Sequence, residues 1–286
     1  MTLDFPILAR QRLSAPGLIR CLAPYDVFSA RILAQAGIEW MFLGGFGASA
    51  SHLGVPDIGL LTLSEMVDLA RRIVAAVDVP VVVDADTGHG GWQNVVRTVR
   101  DIEATGAAGL LLEDQTFPKR CGHFAGKGVV PREVMADRLK AALDARRNPD
   151  FLIFGRTDAR ATLGLEEAIE RGCEMAKLGA DVIFVEAPQS VEELAAVARG
   201  IPAPQLANML VGGKTPILSA NQLEELGFRL CVSPIETLAV AGWSLRQLAR
   251  AMVEDGLVDG LAEQMLTFDE IKQSLGLAEW LGPERG

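Results

Sequence analysis

Tyrosine occurs once in this 286-residue sequence, histidine three times and cysteine four times. Cys21, Cys121, Cys173 and Cys231 are widely spaced and form no CxxC pair, and His52, His89 and His123 add no close ligand spacing. A disulfide framework and a structural zinc site are therefore not expected. No apolar run approaches about 18 residues, so nothing is predicted to span a bilayer. No secretory leader pattern is present, and the expectation is a reduced, cytoplasmic protein. Positive charge is also scarce: 27 Lys and Arg stand against 37 Asp and Glu, a formal net charge of −10. With no net positive field to draw a polyanion, neither nucleic acid nor membrane is an expected partner. A local cationic pocket for a small anion stays open.

What the chain has is apolar content, 49% of residues, enough for a large core and too much for disorder. One phrase recurs: Gly37-Ile-Glu-Trp-Met-Phe-Leu, Gly106-Ala-Ala-Gly-Leu-Leu-Leu, Gly179-Ala-Asp-Val-Ile-Phe-Val and Gly227-Phe-Arg-Leu-Cys-Val. Each follows a helical pattern, places Gly where the helix would end left-handed, and enters an apolar run. Further runs at Leu18–Ala23, Val79–Asp84, Phe151–Gly155 and Pro204–Asn208 bring the predicted strands to eight. Helix-period segments alternate with them: 29–36, 63–76, 93–105, 132–147, 165–178, 191–199, 221–226 and 238–255. Nearly continuous apolar strands suit a parallel sheet covered on both faces. The pattern predicts an α/β fold, a (β/α)8 TIM-type barrel in one domain over 1–286, with a helical extension from about 256 that includes Phe268–Leu275. A doubly wound open sheet is the alternative.

Barrel chemistry sits beyond the carboxyl ends of the strands. Those positions read Gly44-Gly45-Phe46-Gly47 with Asp57 in the following loop, then Asp84-Ala85-Asp86, Glu113-Asp114, Arg156-Thr157-Asp158, Glu186 and Asn208. Two carboxylates about 4 Å apart repel by about 4 kcal/mol at an effective dielectric near about 20. Either some are protonated, some cap helices or bind Arg, or a cation sits among them. Oxygen donors without a His or Cys cluster suit Mg²⁺, with Mn²⁺ possible. The loop Phe117-Pro118-Lys119-Arg120-Cys121-Gly122-His123-Phe124-Ala125-Gly126-Lys127-Gly128 sets one thiol among basic groups, which favours thiolate and proton exchange. Prolines 118 and 131 bracket it, as suits a closing lid; an incidental Cys in a basic surface loop is the other reading. Tyr25, just after the first strand, is placed to donate to or deprotonate a substrate hydroxyl, or to serve structure. The remaining cysteines and the tryptophans at 40, 92, 243 and 280 read as packing.

With Asp84-Ala85-Asp86, Glu113-Asp114-Gln115 and Lys119-Arg120-Cys121-Gly122-His123 in register, the chain resembles the isocitrate lyase and phosphoenolpyruvate mutase superfamily from about Arg12 to Leu277. The cysteine loop is similar to that of its lyase branch, which includes the 2-methylisocitrate and 2,3-dimethylmalate lyases. The resemblance implies Mg²⁺ bound directly by Asp86, with Asp57, Asp84 and Glu113 holding its water ligands. It implies Gly44, Gly45, Phe46, Arg156, Glu186 and Asn208 around the substrate's oxygens. Cys121 would be the general acid, with Lys119, Arg120, Gly122 and His123 in the loop that closes on substrate. It also implies a last helix exchanged between subunits, in a homodimer or homotetramer.

The activity so implied is Mg²⁺-dependent cleavage of a 2-hydroxy di- or tricarboxylate into an α-keto acid, such as pyruvate or glyoxylate, and a carboxylic acid. Tyr25, Glu186 and metal-bound water all stand as candidates for the base. Apolar Met209-Leu210-Val211 after Asn208 favours a substituted malate over a tricarboxylate, although Lys214 is near enough in sequence to supply a charge. Oxaloacetate hydrolysis or decarboxylation is the alternative, followed by phosphonate chemistry of the mutase type.

Overall fold

The computed structural model describes residues 3–122, 124 and 126–282. Eight strands close a parallel barrel in sequence order: β1 (Ile19–Leu22), β2 (Met41–Leu43), β3 (Val81–Asp84), β4 (Gly109–Glu113), β5 (Leu152–Thr157), β6 (Val182–Val185), β7 (Gln205–Asn208) and β8 (Leu230–Ser233). Parallel pairing of β8 with β1, Ile19 opposite Leu230, completes the ring and excludes the open sheet. The helices are α1 (Phe5–Ser14), α2 (Val27–Gln35), α3 (Gly45–Ala48), α4 (Leu63–Val74), α5 (Trp92–Glu103), α6 (Arg132–Ala145), α7 (Ala159–Thr162), α8 (Leu165–Leu178), α9 (Val191–Gly200), α10 (Ala220–Leu226), α11 (Glu236–Asp255), α12 (Phe268–Ser274) and α13 (Leu277–Leu281). No helix among the described residues is long and apolar enough to cross a membrane.

The repeated glycines act as the sequence implies. Gly37, Gly106, Gly179 and Gly227 all have φ between 83° and 109°, the left-handed region that ends a helix at little cost only for glycine. The strands begin three or four residues after each glycine, because the chain must first turn from the helix layer onto the barrel. Helix α1 was not anticipated, nor were the short α3 and α7. Asp4 caps α1 through Ile7 N–H, Pro6 sits in its first turn, and Phe5 and Ala9 are buried. Arg10 ties it to Pro149 O and Asp181, each at 3.0 Å.

Strands β2 to β7 are buried at every residue, as sheets covered on both faces require. At the seam the cover is thinner: Arg20 of β1 is exposed, and Cys231 and Ser233 of β8 are half-buried. Helix α11, which follows β8 and spans 20 residues, has no buried side chain among those described. Trp40 is fully buried, but Trp92, Trp243 and Trp280 are exposed, contrary to a packing role for all four. Trp243 lies on α11 and Trp280 on α13, the region that also exposes Val253 and Phe268. The end of α12 is held to the barrel by Arg31 and Gln35, which both donate to Ser274 O.

Candidate active site

Side chains on a strand alternate, so positions i, i+2 and i+4 reach one face. That period builds the cavity at the carboxyl ends of the strands. Its wall carries Phe42, Gly44 and Phe46; Phe184 and Glu186; Leu206, Asn208 and Leu210; Val232 and Pro234, with Asp84, Leu111 and Arg156. Asp57, Cys121, Gly122 and Ile235 close it from the loops, around a volume of ≈ 70 Å³.

One side of the cavity is acidic. Lys119 reaches in from the loop after β4 and places its ammonium 2.5 Å from Asp57 Oδ1 and 2.6 Å from Asp86 Oδ1. Asp84 accepts from the main-chain amides of Gly45 and Asp86, both at 3.1 Å. The Gly45 amide thus ties this turn of the cavity to Asp84. Asp86 itself is left-handed at φ 49°, a strained conformation for a residue with a Cβ, and such strain collects at functional sites. Burial raises the Asp86 carboxyl to about 7; Lys119 opposes this, and Asp84 and Asp57 add to it. Burial also pushes Glu113 well above the ordinary range, with Arg156 the main opposing influence. Burial alone would weaken the Lys119 ammonium, but Asp86, Asp84, Asp57 and Glu113 outweigh it and raise its pKa.

The other charged side is organised by Arg156. Its Nε and Nη2 donate to Asp158 at 3.0 and 3.2 Å, Nη2 lies 3.1 Å from Glu186 Oε2, and Nη1 lies 3.4 Å from Glu113 Oε2. The guanidinium also stands 5.4 Å above the Phe184 ring. Asn208 donates to Glu186 Oε1 at 3.4 Å. Behind Asp158, the Asp114 carboxylate accepts from the Asp158 amide at 2.9 Å, from Thr157 Oγ1 at 2.7 Å and from Arg171 at 3.0 Å.

The loop after β4 lies over the mouth. Its stalk is zipped by Thr116 N–H to Gly128 O and Val130 N–H to Asp114 O, and its tip docks through Cys121 N–H to Asp57 O at 3.1 Å. The cations of the loop do not simply surround the thiol, as the sequence suggested. Lys119 and Lys127 each pair with buried carboxylates, so they tie the loop down. Arg120 N–H and C=O are both held by the Gln115 side chain. His123 lies outside the described residues. Tyr25 is half-buried at the rim and does not line the cavity. Burial, then Asp26, raises its phenol, so at neutral pH it is a donor and not a base.

Among the described residues, Asp57, Asp84, Asp86, Glu113, Asp158 and Glu186 gather around Lys119, Lys127 and Arg156. Burial is the main cause of the raised Asp86 and Glu113 carboxyls; the neighbouring carboxylates add to it, and that repulsion is what a divalent cation would relieve. Among the described residues, Glu113 Oε1 is buried with no hydrogen-bond partner, and Asp86 Oδ1 has only its ion pair with Lys119. Among the described residues no three donors are already gathered around one point, since the Lys119 ammonium lies between them. The donor chemistry, all hard oxygen, fits Mg²⁺ or Mn²⁺.

Residues 10–253 match the family model described as phosphoenolpyruvate phosphomutase. The chain belongs to the phosphoenolpyruvate mutase and isocitrate lyase superfamily. It is 44% identical to 2,3-dimethylmalate lyase of Eubacterium barkeri over 94% of this chain and 93% of that one. It is 38% identical to 2-methylisocitrate lyase of Aeropyrum pernix over 96% and 91%. A solved structure of oxaloacetate acetylhydrolase in complex with the inhibitor 3,3-difluorooxalacetate superimposes with a TM-score of 0.91 at 34% identity, covering 97% of this chain and 95% of that one. Within the superfamily these likenesses make the chain an enzyme of the lyase branch.

Leu210 and Asp158 stood among the residues the sequence singled out, but Leu206, Val232, Pro234 and Ile235 of the apolar wall were missed; they needed strand register, although Leu206-x-Asn208-x-Leu210 carried its period of two. Asp158 stood two positions after Arg156, the spacing that puts both side chains on one face, yet its partnership with Lys127 crosses 31 residues. Lys214 is exposed and absent from the cavity wall.

Proposed function

We propose that this protein is a Mg²⁺-dependent carbon–carbon lyase that cleaves a 2-hydroxy dicarboxylate of the substituted-malate type into an α-keto acid and a carboxylic acid. The observation that carries the reading is a cavity with two chemistries, an Arg156-centred polar side beneath Cys121 and an apolar side from β7 and β8. A malate needs the first for its oxy-carboxylate end, and its alkyl groups need the second. Asp86, Asp84, Asp57 and Glu113 would hold the metal, directly or through water. When bound, the ion supplies electrophilic stabilisation of the oxygen charge that grows as the bond breaks.

The chain's own groups supply the rest. Arg156, steadied by Asp158 and Phe184, pairs with the substrate carboxylate. Glu186, beside Arg156 and Asn208, takes the hydroxyl proton. The C2–C3 bond then breaks: C2 keeps a carbonyl oxygen, and the electron pair stays on C3, delocalised into the neighbouring carboxylate. Cys121 Sγ–H gives its proton to C3, and the closed loop keeps water from doing so first. Gly44, Gly45, Phe46, Gly122 and Asn208 shape the pocket, with Arg120 and His123 in the loop. Tyr25 contributes a hydrogen-bond donor from the rim.

The exposed Lys214 supports a dicarboxylate over 2-methylisocitrate, because a third carboxylate would meet apolar Leu210 instead of a charge. Likeness to oxaloacetate acetylhydrolase favours oxaloacetate hydrolysis as the second reading, which would use the same keto-acid site. The thinly covered β8–β1 seam and the unburied α11 support a homodimer or homotetramer in which a second copy covers this face. The expected setting is the cytoplasm, and the domain reading is one barrel with the extension from about 256. Incubation with Mg²⁺ and a panel of 2,3-dimethylmalate, other alkylmalates, 2-methylisocitrate and oxaloacetate tests the assignment, with lactate dehydrogenase reporting pyruvate and oxalate followed separately for oxaloacetate hydrolysis. Pyruvate from alkylmalates is the expected result; turnover of oxaloacetate alone would favour the second reading.

A further inference from the structure

The loop over the cavity carries a second buried ammonium that the acidic cage does not account for. Lys127 has a side chain 2% exposed, and its Nζ lies 2.5 Å from Oδ1 of the fully buried Asp158. The same Nζ donates to the carbonyl oxygen of Gly122, five residues back at the loop tip. Asp158 Oδ1 also accepts from Arg156 Nη2 at 3.2 Å, while Oδ2 accepts from Arg156 Nε at 3.0 Å. One carboxylate is thus shared between the loop's cation and the arginine of the cavity. The Asp158 main-chain amide donates to Asp114, which Arg171 holds in turn, so its backbone is anchored to the barrel and not to the loop. Burial works against the Asp158 charge, but Arg156 and then Lys127 outweigh it and hold the carboxyl below the usual range. Gly122 lies so close to the site that a Cβ there would stand 2.5 Å from Arg156 Nη2 and 2.3 Å from Glu186 Oε2. Fixing the Gly122 carbonyl therefore fixes the cysteine loop where its backbone passes beside Arg156 and Glu186.

We propose that Lys127 is a positioning residue: by bridging Asp158 and the Gly122 carbonyl, it latches the loop over the cavity and couples that closure to the orientation of Arg156. The kinetic consequence rests on the lyase reading, but the latch itself belongs to the free protein and can be tested without turnover. When the loop opens, Asp158 keeps Arg156 and loses Lys127, so the arginine's carboxylate partner differs between the open and closed states. Charge-assisted hydrogen bonds between buried groups are strong enough for one such bridge to decide which state dominates.

The test is alkylation of the full-length protein by iodoacetamide, with Cys121 followed separately from the other thiols by peptide mass mapping. Lys127→Met is expected to raise the Cys121 rate about tenfold or more. Lys127→Arg, which keeps a cation of similar reach, is expected to stay near wild type. Asp158→Asn should also speed the reaction, and the Lys127→Met/Asp158→Asn double variant should be no faster than the faster single, since both remove one bridge. Melting temperatures close to wild type show that the barrel is intact. With 2,3-dimethylmalate and Mg²⁺, Lys127→Met should lose kcat far more than it raises KM, and Lys127→Arg should restore it. An unchanged alkylation rate in Lys127→Met overturns the latch, and additive effects in the double variant overturn the coupling through Asp158. Absence of cleavage by the wild type would remove the lyase reading while the alkylation rates still decide the latch.

Discussion

Gly122→Ala is the smallest change that separates a closed loop from an open one. The φ of Gly122 is not in the left-handed region, so the backbone tolerates alanine. The obstacle is the added methyl, which would stand 2.3 Å from Glu186 Oε2 and 2.5 Å from Arg156 Nη2. Neither neighbour is free to yield, because Arg156 is held by Asp158 and Glu113 and faces Glu186. Overpacking a fitted site costs about 1–3 kcal/mol, which lowers the closed population about five- to hundredfold. The loop is a connection outside the barrel wall, so the cost falls on closure and not on folding. Stopped assays with 2,3-dimethylmalate, Mg²⁺ and lactate dehydrogenase should show kcat reduced by that factor, with a melting temperature near wild type. Wild-type kcat in Gly122→Ala would refute closure against Arg156 and Glu186.

Leu210→Ala enlarges the apolar wall, so kcat/KM for 2,3-dimethylmalate should fall about tenfold while that for unsubstituted malate falls less; equal losses would contradict alkyl recognition there. Asp86→Ala, or EDTA on the wild type, should abolish cleavage, and full activity in EDTA would remove the metal from the account. The Glu167 carboxyl sits at about 2 because Arg132, against some burial, and then Arg171 hydrogen-bond it. A depressed carboxyl stabilises the fold above its unfolded value and loses that contribution as pH falls through the folded one. Urea melts of Glu167→Gln should therefore show a loss of about 1 kcal/mol at pH 7 that shrinks below about pH 4.5 and vanishes near pH 2.

The barrel was legible because its signals are local and repeated. Four glycines mark four helix ends, and each is followed by an apolar run short enough to be a strand. Helix α1 escaped that reading although Asp4 and Pro6 are a cap and a first-turn residue, because no strand precedes it to set the rhythm. The acidic mouth was legible for the same reason as the strands, since Asp84, Glu113, Arg156, Glu186 and Asn208 all stand at or just beyond strand ends. Lys119 and Lys127 were visible only as loop charge. Their partners Asp57, Asp86 and Asp158 lie 31 to 62 residues away, and no local pattern encodes which cation meets which carboxylate. The tryptophans failed as core markers because the helices that carry Trp243 and Trp280 find little of this chain to pack against.

Lyase chemistry in this cavity requires the Cys121 thiol to move a proton to and from the carbon beside a carboxylate, above a site that holds the keto acid. Deuterium exchange measures that step without net cleavage. The protein is incubated in D₂O with Mg²⁺, pyruvate and propionate, and label in the propionate methylene is followed by NMR. Exchange is expected from the wild type and none from Cys121→Ser, with Mg²⁺ binding retained in both. Exchange by Cys121→Ser at the wild-type rate would contradict that role of the thiol.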